Sequence, residues 1–283
     1  MFFKNNLLSY VQISLYFLPV SLIVGSLVVN INLIIFILLG AIYIIKNTLK
    51  IKFDSINVSL FLFFVTLIVS SFFNFEIIGL ENFIKSIFLL KFFLLYLVLD
   101  TLLKNNKINL KNFFKVCLIL TFFVSIDVII QFIFGKNILG FVPHEGRIAG
   151  IFGAEAIAGA FIQKFFIFSL LGIFLIEHHK KKQFKLFELL FFIIIIFASF
   201  VASNRMSFLM LLSLVLVLLI FYKVFRKNLI IALIMLIPLF SLLYKSETSL
   251  NLKFQDYKVK TEILIENSIE TLSNEDYNLK KRT

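Results

Sequence analysis

The chain has 283 residues, of which 60% are hydrophobic and only 16% are charged, and its mean hydropathy is +1.02. Soluble domains carry about 25% charged residues, so this composition excludes a soluble globular protein and predicts a membrane protein. The apolar segments are continuous rather than alternating, which excludes a β-barrel. The formal net charge of +12 would suit nucleic acid, but its distribution along the chain offers a simpler explanation.

Nine apolar runs, each bounded by polar residues, predict nine transmembrane helices. A run of about 20 mainly apolar residues can cross the roughly 30 Å hydrocarbon core of a bilayer as a helix. In chain order the predicted spans are residues 7–25, 28–45, 57–73, 82–99, 113–134, 153–176, 185–202, 206–222 and 229–244. The sequence therefore predicts an all-α fold: a polytopic membrane helix bundle over residues 1–244, with a polar tail over residues 245–283.

Lysine and arginine are distributed unevenly among the connections between these spans. Most of them lie at the N-terminus and in alternate connections, whereas the opposite connections hold only Lys136, Arg147 and Arg205. Cytoplasmic loops carry an excess of positive charge, so we expect a cytoplasmic N-terminus and an extracytoplasmic tail. The net charge then reflects topology, and we predict no nucleic-acid partner.

Neither a metal nor a cofactor site is predicted. Cys117 is the only cysteine, which excludes a disulfide within the chain. His178 and His179 are adjacent in "EHHKKKQFK", where the surrounding positive charge makes them poor metal ligands. We therefore expect chemistry without a cofactor.

Ionisable residues inside the predicted spans need partners, because a charged group is costly in the bilayer. Lys91, Asp127 and Lys164 lie deepest, and we expect an internal ion pair among them. Lys85 and Gln131 lie near the outer ends of their spans and are interpreted as lining an outward-facing pocket.

Arginine is rare in this chain, and two arginines lie in outer connections where positive charge is disfavoured. Arg147 occurs in "GKNILGFVPHEGRIAG" and Arg205 in the short turn "ASNRMS". The planar guanidinium group matches phosphate oxygens two at a time, so two such groups near one membrane face suit a lipid-linked diphosphate. Snorkelling to lipid headgroups, or local pairing with Glu145 or Glu155, is an equally open interpretation.

Two further segments are interpreted from their composition. The small residues that begin the sixth span, from Gly150 to Ala160, are expected to pack closely against other helices. The tail segment "YKVKTEILIENSIETL" has apolar residues at roughly helical spacing, so it predicts either an amphipathic surface helix or a solvated segment.

The stretch "IIQFIFGKNILGFVPHEGRIAGIFGAEAIAGAFI" resembles the central signature of the O-antigen ligase and O-antigen polymerase superfamily. In that family a span ending near glutamine, two aromatic residues and glycine leads into an outer loop, an R-x-(S/A/T)-G-x-F element and a span rich in small residues. A Ser-Arg turn forms a second signature, although Asn204 intervenes here. The matching residues are Gln131, Gly135, Arg147, Gly150, Phe152, Ser203 and Arg205.

The resemblance implies glycan transfer at the periplasmic face of the bacterial inner membrane. The donor would be a glycan linked to undecaprenyl diphosphate, and the acceptor a hydroxyl of lipid A–core (ligase) or of a second lipid-linked glycan (polymerase), in a setting of membrane lipids. Arg147 and Arg205 would be catalytic. The residues assigned to substrate binding are Lys85, Gln131, His144, Glu145 and Gly150.

The chain also departs from the family pattern. It has "GAEAIA" where the family has Asn-Pro-Asn-like residues, and its tail has no histidine to serve as a general base. His144, the only histidine in an outer connection, lies in a different loop. We expect the chain to be truncated after "NLKKRT". A transporter or flippase of lipid-linked saccharide, or a structural membrane subunit, are the rival interpretations.

Overall fold

The computed structural model describes residues 2–143, 147–153, 155, 157–177, 184–202 and 204–246. Within these ranges the regular elements are all helical, which confirms the predicted all-α class. A short 3-10 helix, Gly150–Phe152, lies between α6 and α7. The α-helices are α1 (Phe2–Val24), α2 (Ser26–Lys46), α3 (Ser55–Phe73), α4 (Phe75–Phe88), α5 (Leu90–Lys104), α6 (Lys111–Phe134), α7 (Ala158–Glu177), α8 (Phe184–Val201), α9 (Arg205–Phe221) and α10 (Lys223–Ser246).

Six segments of the described chain are helical, long enough and apolar enough to cross a membrane. They are Leu7–Val24, Ser26–Lys46, Ser55–Phe73, Gly79–Lys104, Lys111–Phe134 and Ala158–Leu175. Each coincides with one of the first six predicted spans, so a helical membrane protein is supported. Helices α8, α9 and α10 occupy the last three predicted spans. The total of nine spans and the orientation of the N-terminus stay predictions.

Two predicted spans differ from the observed helices by a few residues at their ends, and a glycine with a positive φ lies near the start of each. The fourth span was expected at 82–99, but α4 and α5 together run from Phe75 to Lys104, with non-helical backbone at Gly79 (φ 76°). The sixth span was expected from residue 153, but Gly153 has φ 65° and α7 begins at Ala158. A positive φ is accessible to glycine and cannot continue a right-handed helix, so each of these glycines interrupts an apolar run.

The chain divides into two units. Unit 1 comprises Met1–Leu120 and Phe168–Leu175, and unit 2 comprises Thr121–Ile167 and Ile176–Thr283. Residues 247–283, which include most of the predicted tail, lie outside the described residues.

In unit 1, α1, α2 and α5 pack around a shared apolar core. Phe36 and Leu102 are fully buried there. Between α1 and α2, the Ser14 hydroxyl donates to Asn32 Oδ1 at 3.0 Å, and the Asn32 amide donates to the Ser14 carbonyl oxygen at 3.0 Å. Gly40 lets α2 approach Val98 of α5 so closely that a Cβ there would overlap the valine side chain. Small residues thus permit close helix contacts, as is usual in membranes.

A charged cluster, Asp54, Asp100 and Lys104, joins the start of α3 to the end of α5. The Lys104 ammonium donates to Asp54 Oδ2 at 2.7 Å and to Asp100 Oδ2 at 2.6 Å. Asp54 also caps α3, because its carboxylate accepts the Asn57 N–H at 3.2 Å. These contacts hold the pKa of the Asp54 carboxyl below its ordinary value. Along its length, however, α3 is the least enclosed of the six apolar helices, with 6% of it buried inside the protein against 56% for α7.

Unit 2 has an aromatic core centred on α8. Phe191 and Phe192 of α8 are fully buried and pack against Phe166 of α7, and Phe192 also contacts Phe225 of α10. Two ring contacts, Phe122–Phe187 and Phe132–Phe197, advance in the same direction along α6 and α8. These two helices therefore run parallel, as expected when one returning helix, α7, separates them in the chain.

Candidate functional site

Two polar side chains of α6, Asp127 and Gln131, are completely buried in unit 2. They are four residues apart, which places them on the same face of the helix, one turn from each other. Buried polar groups in proteins are almost always hydrogen-bonded, and the partners of these two come from the loop that follows α6.

Asp127 binds the first part of that loop. The Asn137 side-chain amide donates to Asp127 Oδ2 at 3.3 Å, and the Ile138 N–H donates to Oδ1 at 3.0 Å. The expected internal ion pair is wrong for this residue: within the described residues, neither Asp127 nor Lys164 forms a salt bridge. Lys91 donates instead to Asn30 Oδ1 at 2.6 Å within unit 1, and Lys164 is exposed on α7.

Gln131 binds two more distant parts of the same loop. Its Nε2 donates to the Phe141 carbonyl oxygen at 3.0 Å, and its Oε1 accepts the Gly150 N–H at 2.7 Å. Both ends of the amide are therefore used to fix the loop. This geometry gives Gln131 a structural role, while its assignment to substrate binding stays a prediction.

Asn137 organises the turn at the start of the loop. Its Oδ1 accepts the Leu139 N–H at 3.0 Å and the Phe141 N–H at 2.7 Å, and Gly140 provides a positive φ of 86°. This role of Asn137 was not predicted from the sequence. An asparagine shortly before a glycine is typical of side-chain-stabilised turns, but that pattern gives no sign that the amide also reaches a buried aspartate.

Gly150 is required where the loop returns to α6. Its φ is 57°, and a Cβ at this position would lie 2.9 Å from Asp127 Oδ2 and 3.1 Å from Val128 Cγ2. Any larger residue would combine an unfavourable backbone conformation with a steric clash. The backbone conformation and the close contact with Asp127 thus explain why this chain has glycine at this position of the R-x-(S/A/T)-G-x-F element.

Arg147 precedes this anchored glycine by three residues. Its side chain is exposed, whereas the next two residues, Ile148 and Ala149, are 4% and 1% exposed. Among the described residues Arg147 has no salt-bridge partner, Glu155 included. Pairing with Glu145 falls outside the described residues, as do His144 and Glu145 themselves.

Arg205 is the first residue of α9 and is partly buried. The preceding residue, Asn204, caps the helix: its Oδ1 accepts the Ser207 N–H at 3.3 Å. Ser203, the other residue of the second signature, is outside the described residues. The turn is therefore fixed by Asn204, the residue that departs from the family pattern.

The start of α7 links the two arginine-bearing segments. A Cβ on Gly159 would lie 3.2 Å from Asn204 Cβ and 3.4 Å from Ala202 Cβ, so α7 packs directly against the turn before α9. Phe152, two residues beyond Gly150, contacts Phe161 of α7 with a ring separation of 5.6 Å. Both segments consequently pack against the beginning of the same helix, at one end of unit 2.

The remaining candidate residues have other surroundings. Lys85 belongs to unit 1 and forms an exposed salt bridge with Glu81 at 2.6 Å. Arg226 uses its guanidinium fork to cap α9, donating to the carbonyl oxygens of Leu219 at 2.8 Å and Ile220 at 2.7 Å. Side chains that donate to the last carbonyl groups stabilise a helix C-terminus, so this arginine has a structural role.

One buried acidic residue was overlooked in the sequence. Glu188 of α8 is 2% exposed, and a carboxylate inside an apolar helix is a recognisable signal. Elsewhere in the described residues, no group of three histidine, cysteine or acidic side chains is arranged to hold a metal ion.

Comparisons with protein-family models, with curated proteins and with solved structures found no match for this chain.

Proposed function

We propose that this protein is an O-antigen ligase-like membrane glycosyltransferase. It transfers a saccharide from undecaprenyl diphosphate to a hydroxyl of lipid A–core at the periplasmic face of the bacterial inner membrane. The observation that carries the proposal is that Phe152, five residues after Arg147, and the turn before Arg205 both pack against the beginning of α7. The motif resemblance supplies the reaction class.

The chemistry requires stabilisation of a diphosphate leaving group. The acceptor oxygen forms a bond to the anomeric carbon and loses its proton, while the bond from that carbon to the diphosphate oxygen breaks. Negative charge develops on the diphosphate as it leaves. Arg147 and Arg205 bind its oxygens and stabilise that charge, an electrostatic contribution that is often the largest in catalysis.

The placement of charge along the chain supports this choice of membrane face. Lys136, Arg147 and Arg205 are the cations of the connections predicted to be extracytoplasmic. In this proposal the two arginines stay there because the anionic substrate is presented at that face, despite the usual bias of positive charge towards the cytoplasm.

A polymerase would use the same arginines with a different acceptor, a second lipid-linked glycan. A transporter or flippase would need polar groups along a path through the bilayer. The buried carboxylate of Asp127 is instead bound by Asn137 and Ile138, which favours transfer at one face.

The proposal is tested by replacing each arginine in the full chain and measuring glycan transfer from undecaprenyl diphosphate with purified protein. Removal of one group that stabilises a developing charge typically reduces kcat by about 100-fold or more, and we expect such losses for Arg147→Ala and Arg205→Ala. Arg147→Lys keeps the charge but loses the planar fork, so it should recover only part of the rate.

Lys136→Ala is the matched control, because Lys136 is an exposed cation of the same connection as Arg147. It should transfer glycan at nearly the parent rate. Equal membrane insertion and equal thermal unfolding of the variants would exclude misfolding as the cause of a loss. Unchanged transfer in Arg147→Ala and Arg205→Ala would refute the proposal.

A further inference from the structure

The loop between α6 and α7 is attached to α6 at both of its ends. Asp127 accepts hydrogen bonds from Asn137 and Ile138 at the start of the loop. At the end of the loop, the Gln131 side chain accepts a hydrogen bond from the Gly150 N–H. Arg147 lies between these attachments, close to the second one.

The first attachment depends on the direction of its hydrogen bonds. A carboxylate only accepts, and it faces two donors, the Asn137 amide nitrogen and the Ile138 N–H. The other side of the Asn137 amide accepts the N–H groups of Leu139 and Phe141. Asn137 therefore connects the buried carboxylate to the backbone of the turn, and exchanging either side chain alone breaks the chain of contacts.

The two attachments also touch each other. Gly150 approaches Asp127 so closely that there is no space for a Cβ between them. A displaced Asp127 side chain would therefore disturb the end of the loop as well as its start, and with it the segment Arg147–Ala149.

We propose that Asp127, acting through Asn137, is a positioning residue that holds the Arg147 segment in the conformation needed for binding the diphosphate. It does not touch the substrate. This inference rests on the proposed function for its catalytic consequence, whereas the positioning itself can be measured without any substrate.

Reciprocal exchange of the two side chains tests the inference. In Asp127→Asn alone, two amide nitrogens face each other. In Asn137→Asp alone, two carboxylates face each other in a buried site. When both changes are combined, the new amide at 127 donates to the new carboxylate at 137. The amide oxygen at 127 still accepts the Ile138 N–H, and the carboxylate still accepts from Leu139 and Phe141.

Thiol labelling reports the position of the loop. Ile148, next to Arg147, is buried, so Ile148→Cys should react slowly with N-ethylmaleimide in detergent-solubilised protein in which Cys117 is replaced by Ala. Leu139 is 65% exposed, and Leu139→Cys is the control that should react rapidly in every background.

Each single exchange should accelerate labelling at position 148 by about tenfold or more, because a buried hydrogen-bonding group is left without its partner. The double exchange should return to within about twofold of the parent, since the two changes compensate each other. Transfer activity should follow the same order: reduced kcat/KM for the diphosphate donor in each single variant, and recovery in the double variant.

The outcomes separate the two claims. Parent-like labelling in both single variants, or no recovery in the double variant, would overturn the positioning role. Parent-like kcat/KM in single variants that do label faster would overturn its link to Arg147. If labelling shows the expected pattern but the parent chain transfers no glycan, the positioning of the loop is supported and the proposed function fails.

Discussion

Each unit contains a polar cluster with aspartate side chains that fixes a helix to another part of the chain, and the two clusters differ in burial. In unit 1, Lys104 joins Asp54 and Asp100, and the three side chains are between 17% and 45% exposed. In unit 2, Asp127 is fully buried, and within the described part of the chain it accepts from an amide and a backbone N–H rather than from a cation.

The contrast lies in the kind of donor: among the described residues, Asp127 is contacted by directed N–H groups, whereas Asp54 and Asp100 are contacted by an ammonium group. Directed N–H donors can satisfy a buried carboxylate, and in a medium of low dielectric constant each such bond is strong and costly to lose. Exposed ion pairs contribute much less, because water and salt screen them. The buried cluster should therefore respond sharply to mutation, and the charged cluster weakly.

Gly150→Ala should give the largest effect. The new Cβ meets Asp127 Oδ2 at 2.9 Å with φ at 57°, and strain combined with a steric clash should lower the free energy of unfolding by about 2–4 kcal/mol. Gly135→Ala is the matched control, because its φ is 71° but nothing lies within 4 Å of the added Cβ. Thermal unfolding of both variants measures the difference; equal losses would mean that the contact with Asp127 is unimportant.

Lys104→Met should have a smaller effect and one that depends on salt. It removes both ion pairs of the charged cluster while keeping most of the side-chain volume. The difference in unfolding temperature between parent and variant should shrink as the salt concentration rises, because exposed charges are screened. Asn137→Asp should lower the unfolding temperature by the same amount at every salt concentration. A loss that depends on salt would contradict the claim that this cluster is buried and the charged cluster is exposed.

Acidic pH should also weaken the charged cluster, with a smaller effect on stability than Lys104→Met. Contacts with Lys104 and Asn57 lower the pKa of Asp54 below its ordinary value of 3.8. A carboxyl group whose pKa is lowered by folding adds stability above its unfolded pKa and loses it as the pH falls through the folded pKa. We therefore expect the unfolding temperature of the parent to decline more steeply below about pH 4 than that of Asp54→Asn. Parallel curves would show that Asp54 contributes nothing.

Lys85→Ala should leave stability unchanged, since its salt bridge with Glu81 is exposed on both sides and such pairs contribute little. The same variant tests the predicted role of Lys85 in substrate binding. A raised KM for the diphosphate donor, with unfolding unchanged, would support that role. Asn82→Ala, on the same helix, would serve as the comparison, and equal KM values in the two variants would remove Lys85 from the site.

The sequence predicted the apolar helices because hydropathy accumulates along a continuous run and needs no knowledge of neighbours. It could not predict the interruptions at Gly79 and Gly153, since a positive φ is only one of the conformations open to glycine.

The candidate site was predicted in outline and missed in its organisation. Charge pattern selected Asp127, and it suggested lysines as partners because only charged residues stand out inside an apolar run. The observed partners, Asn137 and Ile138, lie in a loop that folds back on α6. Hydrophobic periodicity reports only local structure, so it could not predict this contact. The charge pattern placed Arg226 in a cytoplasmic connection, apart from Arg147, but it could not predict the hydrogen bonds from Arg226 to the end of α9.

The low enclosure of α3 makes the bilayer itself part of that helix's environment. Because only 6% of α3 is buried inside the protein, a surrounding bilayer would supply most of its contacts, and we expect its tilt to follow the thickness of the hydrocarbon layer. The more enclosed α7 is held mainly by side chains. A change of lipid should therefore alter the orientation of α3 much more than that of α7.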